Sequence, residues 1–433
     1  MFGLFNKKRF NPTVTPEDQD WVEKNLLWLI EVFGLERLRS RPLIEPTADI
    51  FPYTDLNNPE QFQSLFEQVC GYWELDPNEI EINFFDDFRS KQWSTWVPHA
   101  NVNEPSGLYS PIYTTDVKRF KIQLAKSNLM HPQLLVAVLA HELAHVKLLG
   151  GGYLNVKAPD MEPMTDLTTM YFGFGAFTAN SLQTKDINWI SRSGYLPPQV
   201  VSYVNAAICH ITKHDTSKYI AVLNTNTRDL FKQDIEYLQN TGHTLLNQDQ
   251  IAKTDLLHQL RAKINMGFEH KRYDDVVSAS HQLLEINPKD VAAFNNIGYT
   301  FLEQKKYSEA IVEFTKAIEI DPYWEYPYNN RGYCKLQLGD IEDAGFDLFH
   351  TFEMNPDNPL AWRNLGAYYL VLNDLDKALE YFEGALNRLP GTELINFYLG
   401  HVHRRLGNAE LAEEYFDKSQ KLNEHNYSTI EDN

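Results

Sequence analysis

The sequence predicts an α+β domain followed by an all-α helical-repeat solenoid. Three observations carry this. A 34-residue period fills the C-terminal part, no such period precedes it, and the N-terminal part mixes helix-spaced with strand-spaced apolar residues. With 433 residues, two or three domains are expected. Hydrophobic residues at 43% and charged residues at 23% suit folded cores throughout.

The period is carried by three residue types. Gly298, Gly332, Gly366 and Gly400 are each 34 residues apart. Ala310, Ala344, Ala378 and Ala412 keep the same step, as do Pro288, Pro322, Pro356 and Pro390. Within "AFNNIGYTFLEQKKYSEAIVEFTKAIEIDP" the apolar residues recur at helical spacing, so each repeat predicts a helix pair. The small residues let two helices approach, and the proline ends the second one.

These repeats resemble the tetratricopeptide repeat. The family pattern appears as Phe294, Gly298, Phe301, Ala310, Phe314, Ala317 and Pro322, and again as Trp362, Gly366, Tyr369, Ala378, Phe382, Ala385 and Pro390. The repeat between them is weaker, with Lys335 and Thr351 at two of the positions. The repeat starting near Glu393 keeps Gly400, Ala412 and Phe416 but has Asn396 and Glu424 at others. Residues 257 to 288 look like a degenerate first repeat. The repeat domain is assigned to residues 256 to 426, after a polar linker, "NTGHTLLNQDQIAKTD", at 240 to 255. The resemblance implies a solenoid whose concave surface binds a protein or peptide. Residues 257 to 433 hold 17 Lys and Arg against 29 Asp and Glu, a balance of −12, so a basic or neutral ligand is favoured.

Residues 1 to 250 form the first domain. "EDQDWVEKNLLWLIEVFG" reads as a helix ending at Gly34, and "PEQFQSLFEQVCGYW" as another. "EIEINFF", "SGLYSPIYT" and "RFKIQLAK" alternate like strands. A long helix from about His131 to Leu149 should stop at Gly150-Gly151-Gly152. A second should begin near Pro163 and run through "MTDLTTMYFGFGAFTANSL", where small residues permit close packing.

The chemistry sits on the long helix. His141 and His145 are four residues apart, so both imidazoles leave one face and can hold one Zn²⁺. Glu142 can then act as general base toward water acidified by the metal. The flanks are apolar, and three ionisable groups on a buried helix are costly unless they have partners or a role. A catalytic zinc needs a third protein ligand, for which Glu162 is the best candidate and Asp166 and Asp160 the alternatives. Glu162 and Asp166 share a helical face, so one can bind metal while the other orients a ligating histidine.

His141-Glu142-x-x-His145 followed by Glu162-x-x-x-Asp166 resembles the zincin metallopeptidases of the gluzincin type. The resemblance implies an α+β zincin-like metallopeptidase domain with His141, His145 and Glu162 as zinc ligands, Glu142 as base and Asp166 supporting a ligating histidine. It covers about residues 110 to 215. In zincins a strand like "RFKIQLAK" is an edge strand that pairs with substrate, and here it reads equally well as a core strand. Tyr195 and His210 are candidate oxyanion stabilisers. His210 and His214 repeat the four-residue spacing without a nearby glutamate. Trp93 and Trp96 lie in an expected loop that could line a cleft.

The rest of the composition narrows the class. A net charge of −20 disfavours nucleic acid and anionic membranes. Cys70, Cys209 and Cys334 are few, odd in number and without CxxC spacing, which fits a reducing, cytoplasmic setting. "MFGLFNKKRF" lacks the order of a signal peptide, and "LLVAVLA" is too short to span a bilayer. The expected function is a soluble zinc-dependent peptidase whose repeats recruit a protein substrate or regulator. The alternative is a non-catalytic interaction scaffold retaining a zinc-binding fold.

Overall fold

The computed structural model describes residues 10–41, 43–86, 107–113, 118–154, 159–181, 184–186, 189–191, 196–241, 244–389, 391–392 and 394–422. The chain divides into two units, Met1–His258 and Gln259–Asn433.

The first unit opens with the helix Pro16–Phe33. Thr15 caps it by accepting from the Asp18 amide, and Glu17 and Asp18 complement its positive end. Gly34, at φ 88°, ends it in a conformation that side chains rarely adopt. Leu35–Ser40 and Pro59–Trp73 follow, the latter capped by Asn58. Three strands, β1 (Ile80–Phe85), β2 (Gly107–Tyr113) and β3 (Lys118–Ala125), form a sheet in the order β1-β3-β2. β1 runs parallel to β3 and β2 antiparallel. A two-stranded ribbon pairs β4 (Thr184–Asp186) with β5 (Trp189–Ser191).

This topology corrects one expectation. "RFKIQLAK" is the central strand, with Ile122 facing Ile82 on one side and Tyr109 on the other. Its backbone is committed on both edges, so it cannot take up an added strand. Among the described residues only one strand pair is parallel, and a zincin-like arrangement is not shown by a sheet this small.

Two helices at the centre of the unit's core carry the motif residues. The motif helix, Pro132–His145, starts with proline at a first-turn position and buries Leu135, Leu139, Leu143 and Ala144 completely. It runs on as a π turn, Val146–Gly150. The apolar run read as too short for a bilayer is thereby extended to 19 residues, Pro132–Gly150. That stretch is long and apolar enough to cross a membrane, yet 67% of it is buried inside the protein. It packs against Pro59–Trp73, Met161–Thr169, Gly175–Ser181 and β2.

The facing helix, Met161–Thr169, passes through a π turn, Met170–Phe174, into Gly175–Ser181. Gly173, at φ 97°, makes the kink, and its carbonyl accepts the Ile44 amide at 2.8 Å. At Gly175 a Cβ would meet Asn205 Oδ1, whose amide nitrogen donates to the Gly175 carbonyl at 3.2 Å. Small residues in "GFGAFTAN" thus permit backbone contact. Helices Pro198–Thr212, Thr216–Val222 and Thr225–Asn240 complete the unit. The expected linker is partly helical instead, because Gln248–Glu269 is one continuous helix.

The second unit is a run of helix pairs. Helix Gln248–Glu269 crosses the boundary at His258, and Tyr273–Ile286 follows it where a degenerate first repeat is expected. Val291–Glu303 with Tyr307–Ile320, Glu325–Gln337 with Ile341–Met354, Pro359–Val371 with Leu375–Arg388, and Ile395–Arg405 with Ala409–Lys421 follow. The periodic glycines explain the pairing. A Cβ on Gly298 would come 2.8 Å from the Phe314 ring, and one on Gly366 would come 2.6 Å from Phe382. The ring of the second helix therefore lies on the bare backbone of the first.

In the weaker repeat a leucine, Leu348, sits over Gly332, and the non-consensus Lys335 joins an ion group. Asp347 is 5% exposed, its Oδ2 accepting from Arg331 Nε at 2.8 Å and its Oδ1 from Nη2 at 2.7 Å. Lys335 Nζ lies 2.9 Å from Oδ2, the oxygen that also accepts from Arg331 Nε. The second departure, Thr351, donates to the Asp347 carbonyl at 2.9 Å. A forked guanidinium on a largely buried carboxylate is a strong pairing once formed. Asp347→Ala would strand two cations and is expected to destabilise the repeat unit by about 3–5 kcal/mol, measured by urea unfolding followed by circular dichroism.

Candidate metal centre

The motif helix presents His141 and His145 one turn apart, with ring centroids 4.9 Å apart and planes nearly perpendicular. The facing helix begins at Met161, so Glu162 lies in its first turn, where the helix dipole favours a carboxylate. Pro163 does not interrupt it, because amides of the first turn have no helical acceptor anyway.

Glu162 Oε2 lies 3.2 Å from His141 Nε2 and 3.5 Å from His145 Nε2. One ligand atom from each of the three residues falls within 4.8 Å of the other two. Among the described residues this is the group of three such side chains able to hold an ion. The opposite nitrogens are held from behind. His141 Nδ1 lies 2.9 Å from Asp166 Oδ1, while Asp166 Oδ2 accepts the Leu196 amide at 3.1 Å. His145 Nδ1 lies 3.3 Å from Thr165 Oγ1.

Glu142 is next to His141 and 4% exposed. Its Oε2 has no hydrogen-bond partner among the described residues. A buried carboxylate oxygen left without a donor is costly, and a divalent cation or its water would relieve it. The donor set, two imidazoles and a carboxylate, is the kind that zinc takes in catalytic sites. The residues present therefore fit such an ion. The approach to the site is on the Glu162 side, which is 30% exposed, against 8% for His145.

The electrostatics are those of a site that wants positive charge. Burial pulls the His141 imidazolium down, but its bonds to Asp166 and Glu162 outweigh this and hold it up at about 10. Burial opposes ionisation of Glu162, but the two histidines outweigh it and hold the carboxyl down at about 2. Burial lowers His145. Burial also pushes Glu142 up to about 7, with His141 lowering it and Glu162 raising it.

The other sequence candidates that are described do not join this group. Asp160 is the residue preceding the facing helix and caps nothing with its side chain. Asp166, the alternative ligand, is committed to His141 and the Leu196 amide. His210 and His214 do not share a helical face, because the helix ends at Thr212 and Lys213 turns left-handed at φ 56°. Tyr195, Trp93 and Trp96 lie outside the described residues. Sequence reading missed Thr165, since a threonine in a helix carries no motif; its place three residues after Glu162 was the available signal.

The raised Glu142 gives a pH dependence in metal-free protein. The folded state holds this proton up to about 7, whereas the unfolded chain releases it near the ordinary 4.5. The folded state binds more protons in that window, so stability falls as pH rises through it. The loss amounts to at most about 3 kcal/mol for a shift of this size. Glu142→Gln is expected to flatten this fall, seen by comparing chelator-treated variants in denaturant titrations at pH 5 and pH 7.

Comparison with known proteins bears on the second unit. Three family models, each described as a tetratricopeptide repeat, match residues 291–323, 359–392 and 395–426. No curated protein matches the chain. Among solved structures, a crystal structure of MamA is similar at 21% identity and TM-score 0.30, covering 38% of this chain and 95% of that one. MamA 41-end from Desulfovibrio magneticus RS-1 is similar at 18% identity and TM-score 0.32, covering 39% and 96%. PilW, a widely conserved type IV pilus biogenesis factor, is similar at 21% identity and TM-score 0.33, covering 47% and 87%. The pair Glu325–Gln337 and Ile341–Met354, where the ion group replaces the consensus residues, falls between the family matches. Three tetratricopeptide repeats are found in the C-terminal region of the chain.

Proposed function

We propose that this chain binds a protein or peptide through its repeats and that its first unit is a zinc-dependent peptidase acting on what the repeats recruit. Binding is supported by the three tetratricopeptide-repeat matches, since stacked repeats of this kind present extended concave surfaces. The hydrolytic part is carried by one observation: a buried Glu142 oxygen without a partner among the described residues, beside three converged ligand atoms.

In this reading His141, His145 and Glu162 hold the ion. Zinc bound there would supply Lewis acidity, making water a stronger acid and a carbonyl a better electrophile. Glu142 Oε2 takes the proton from the attacking water as its oxygen adds to the peptide carbonyl carbon. Glu142 then gives that proton to the amide nitrogen as the C–N bond breaks, leaving a carboxylic acid and an amine, which exchange a proton to become carboxylate and ammonium. Asp166 holds the His141 ring in place through Nδ1. Three buried free cysteines support a reducing, cytoplasmic setting.

The second reading is a protein-interaction scaffold with no catalysis. It is favoured by the family matches, all of which lie in the repeats and none in the first unit.

Metal content separates the two first. Elemental analysis of freshly purified protein is expected to give about one zinc per chain, and Glu162→Gln is expected to lose most of it. Protein without zinc, even after zinc is supplied, removes the peptidase reading. Zinc-loaded wild type is then tested on unfolded proteins and on co-purifying partners. Cleavage that falls at least about 100-fold in Glu142→Gln supports the peptidase. Bound zinc with no cleavage of either leaves the scaffold.

A further inference from the structure

The facing helix contributes a second positioning residue. We infer that Thr165 orients His145 for metal binding, as the counterpart of Asp166 on His141; this rests on the zinc-site reading above.

The assignment follows from counting one proton. Thr165 is fully buried, and its hydroxyl lies 2.8 Å from the Met161 carbonyl, four residues back. A carbonyl only accepts, so the threonine proton is spent there. At 3.3 Å from His145 Nδ1, the same oxygen can then only accept. It therefore selects the ring form with the proton on Nδ1, whose lone pair is on Nε2. Nε2 is the nitrogen that faces Glu162.

The same logic holds at the other histidine. Asp166 Oδ1 accepts from His141 Nδ1 and leaves Nε2 facing Glu162. Glu162, Thr165 and Asp166 stand at i, i+3 and i+4, on one helical face. One turn of helix thus supplies the carboxylate ligand and an acceptor behind each histidine. The two acceptors differ in kind. Asp166 brings charge, whereas Thr165 brings a neutral lone pair whose direction is set by its own bond to the backbone.

The positioning role predicts a graded loss of affinity. Thr165→Val keeps shape and burial but removes the acceptor, and it is expected to weaken zinc binding about 10–100-fold in competition with a chromogenic chelator. Thr165→Ser keeps the hydroxyl and is expected to bind within a few-fold of wild type. Proton NMR of the zinc-loaded protein supplies an independent signature. A downfield His145 Nδ1 proton should be protected from exchange in wild type and Thr165→Ser, and should exchange away in Thr165→Val. Wild type that binds no zinc overturns the metal-site reading, and this inference with it. Wild type that binds zinc while Thr165→Val binds equally tightly and keeps the protected proton overturns the Thr165 role alone. Thr165→Ser as weak as Thr165→Val overturns it as well, since the effect would then come from packing.

Discussion

The centre of the first unit depends on how charge is held among apolar side chains. Two imidazoles and three carboxylates meet across two facing helices, in surroundings of leucine, alanine and methionine. Any one of these groups buried alone would be costly. Their arrangement removes most of that cost, because each histidine nitrogen faces an oxygen and Asp166 spends its second oxygen on the Leu196 amide. Among the described residues, what is left over is one Glu142 oxygen. That imbalance, in a cluster otherwise matched, is the physical ground for reading chemistry into the site.

The surrounding fold serves this constraint. The motif helix is covered by helices and by β2, which keeps its polar face dry except toward Glu162. Dryness strengthens each polar contact and raises the cost of losing one. The π turns that end both helices re-aim the chain without proline, just beyond the functional residues. Gly173 and Gly175 then let the facing helix lie against neighbouring backbone and Asn205.

The repeat unit solves its packing by a simpler rule. A bare glycine backbone under a phenylalanine ring, at Gly298, Gly366 and Gly400, joins the two helices of three pairs. The weaker repeat follows the same geometry with different chemistry. There Asp347 gathers Arg331 and Lys335, and Arg331 stands where the other repeats have Ile297, Leu365 and Leu399. The helices hold their places although Lys335 and Thr351 depart from the pattern, because Gly332 still lies under a bulky side chain, Leu348, and the charges are matched.

Much of this protein was determined by local sequence. The 34-residue period specified the helix pairs, because each repeat needs the same small and bulky residues at the same points. The spacing of His141, Glu142, His145, Glu162 and Asp166 placed them on helical faces, since helix geometry turns sequence separation into direction. Tertiary structure decided the rest. It put "RFKIQLAK" between two strands, because strand order depends on pairings distant in sequence. It separated His210 from His214, because one left-handed residue ends their helix. It brought Thr165 behind His145, because that contact joins two helices, and a threonine shows its function only through what it touches.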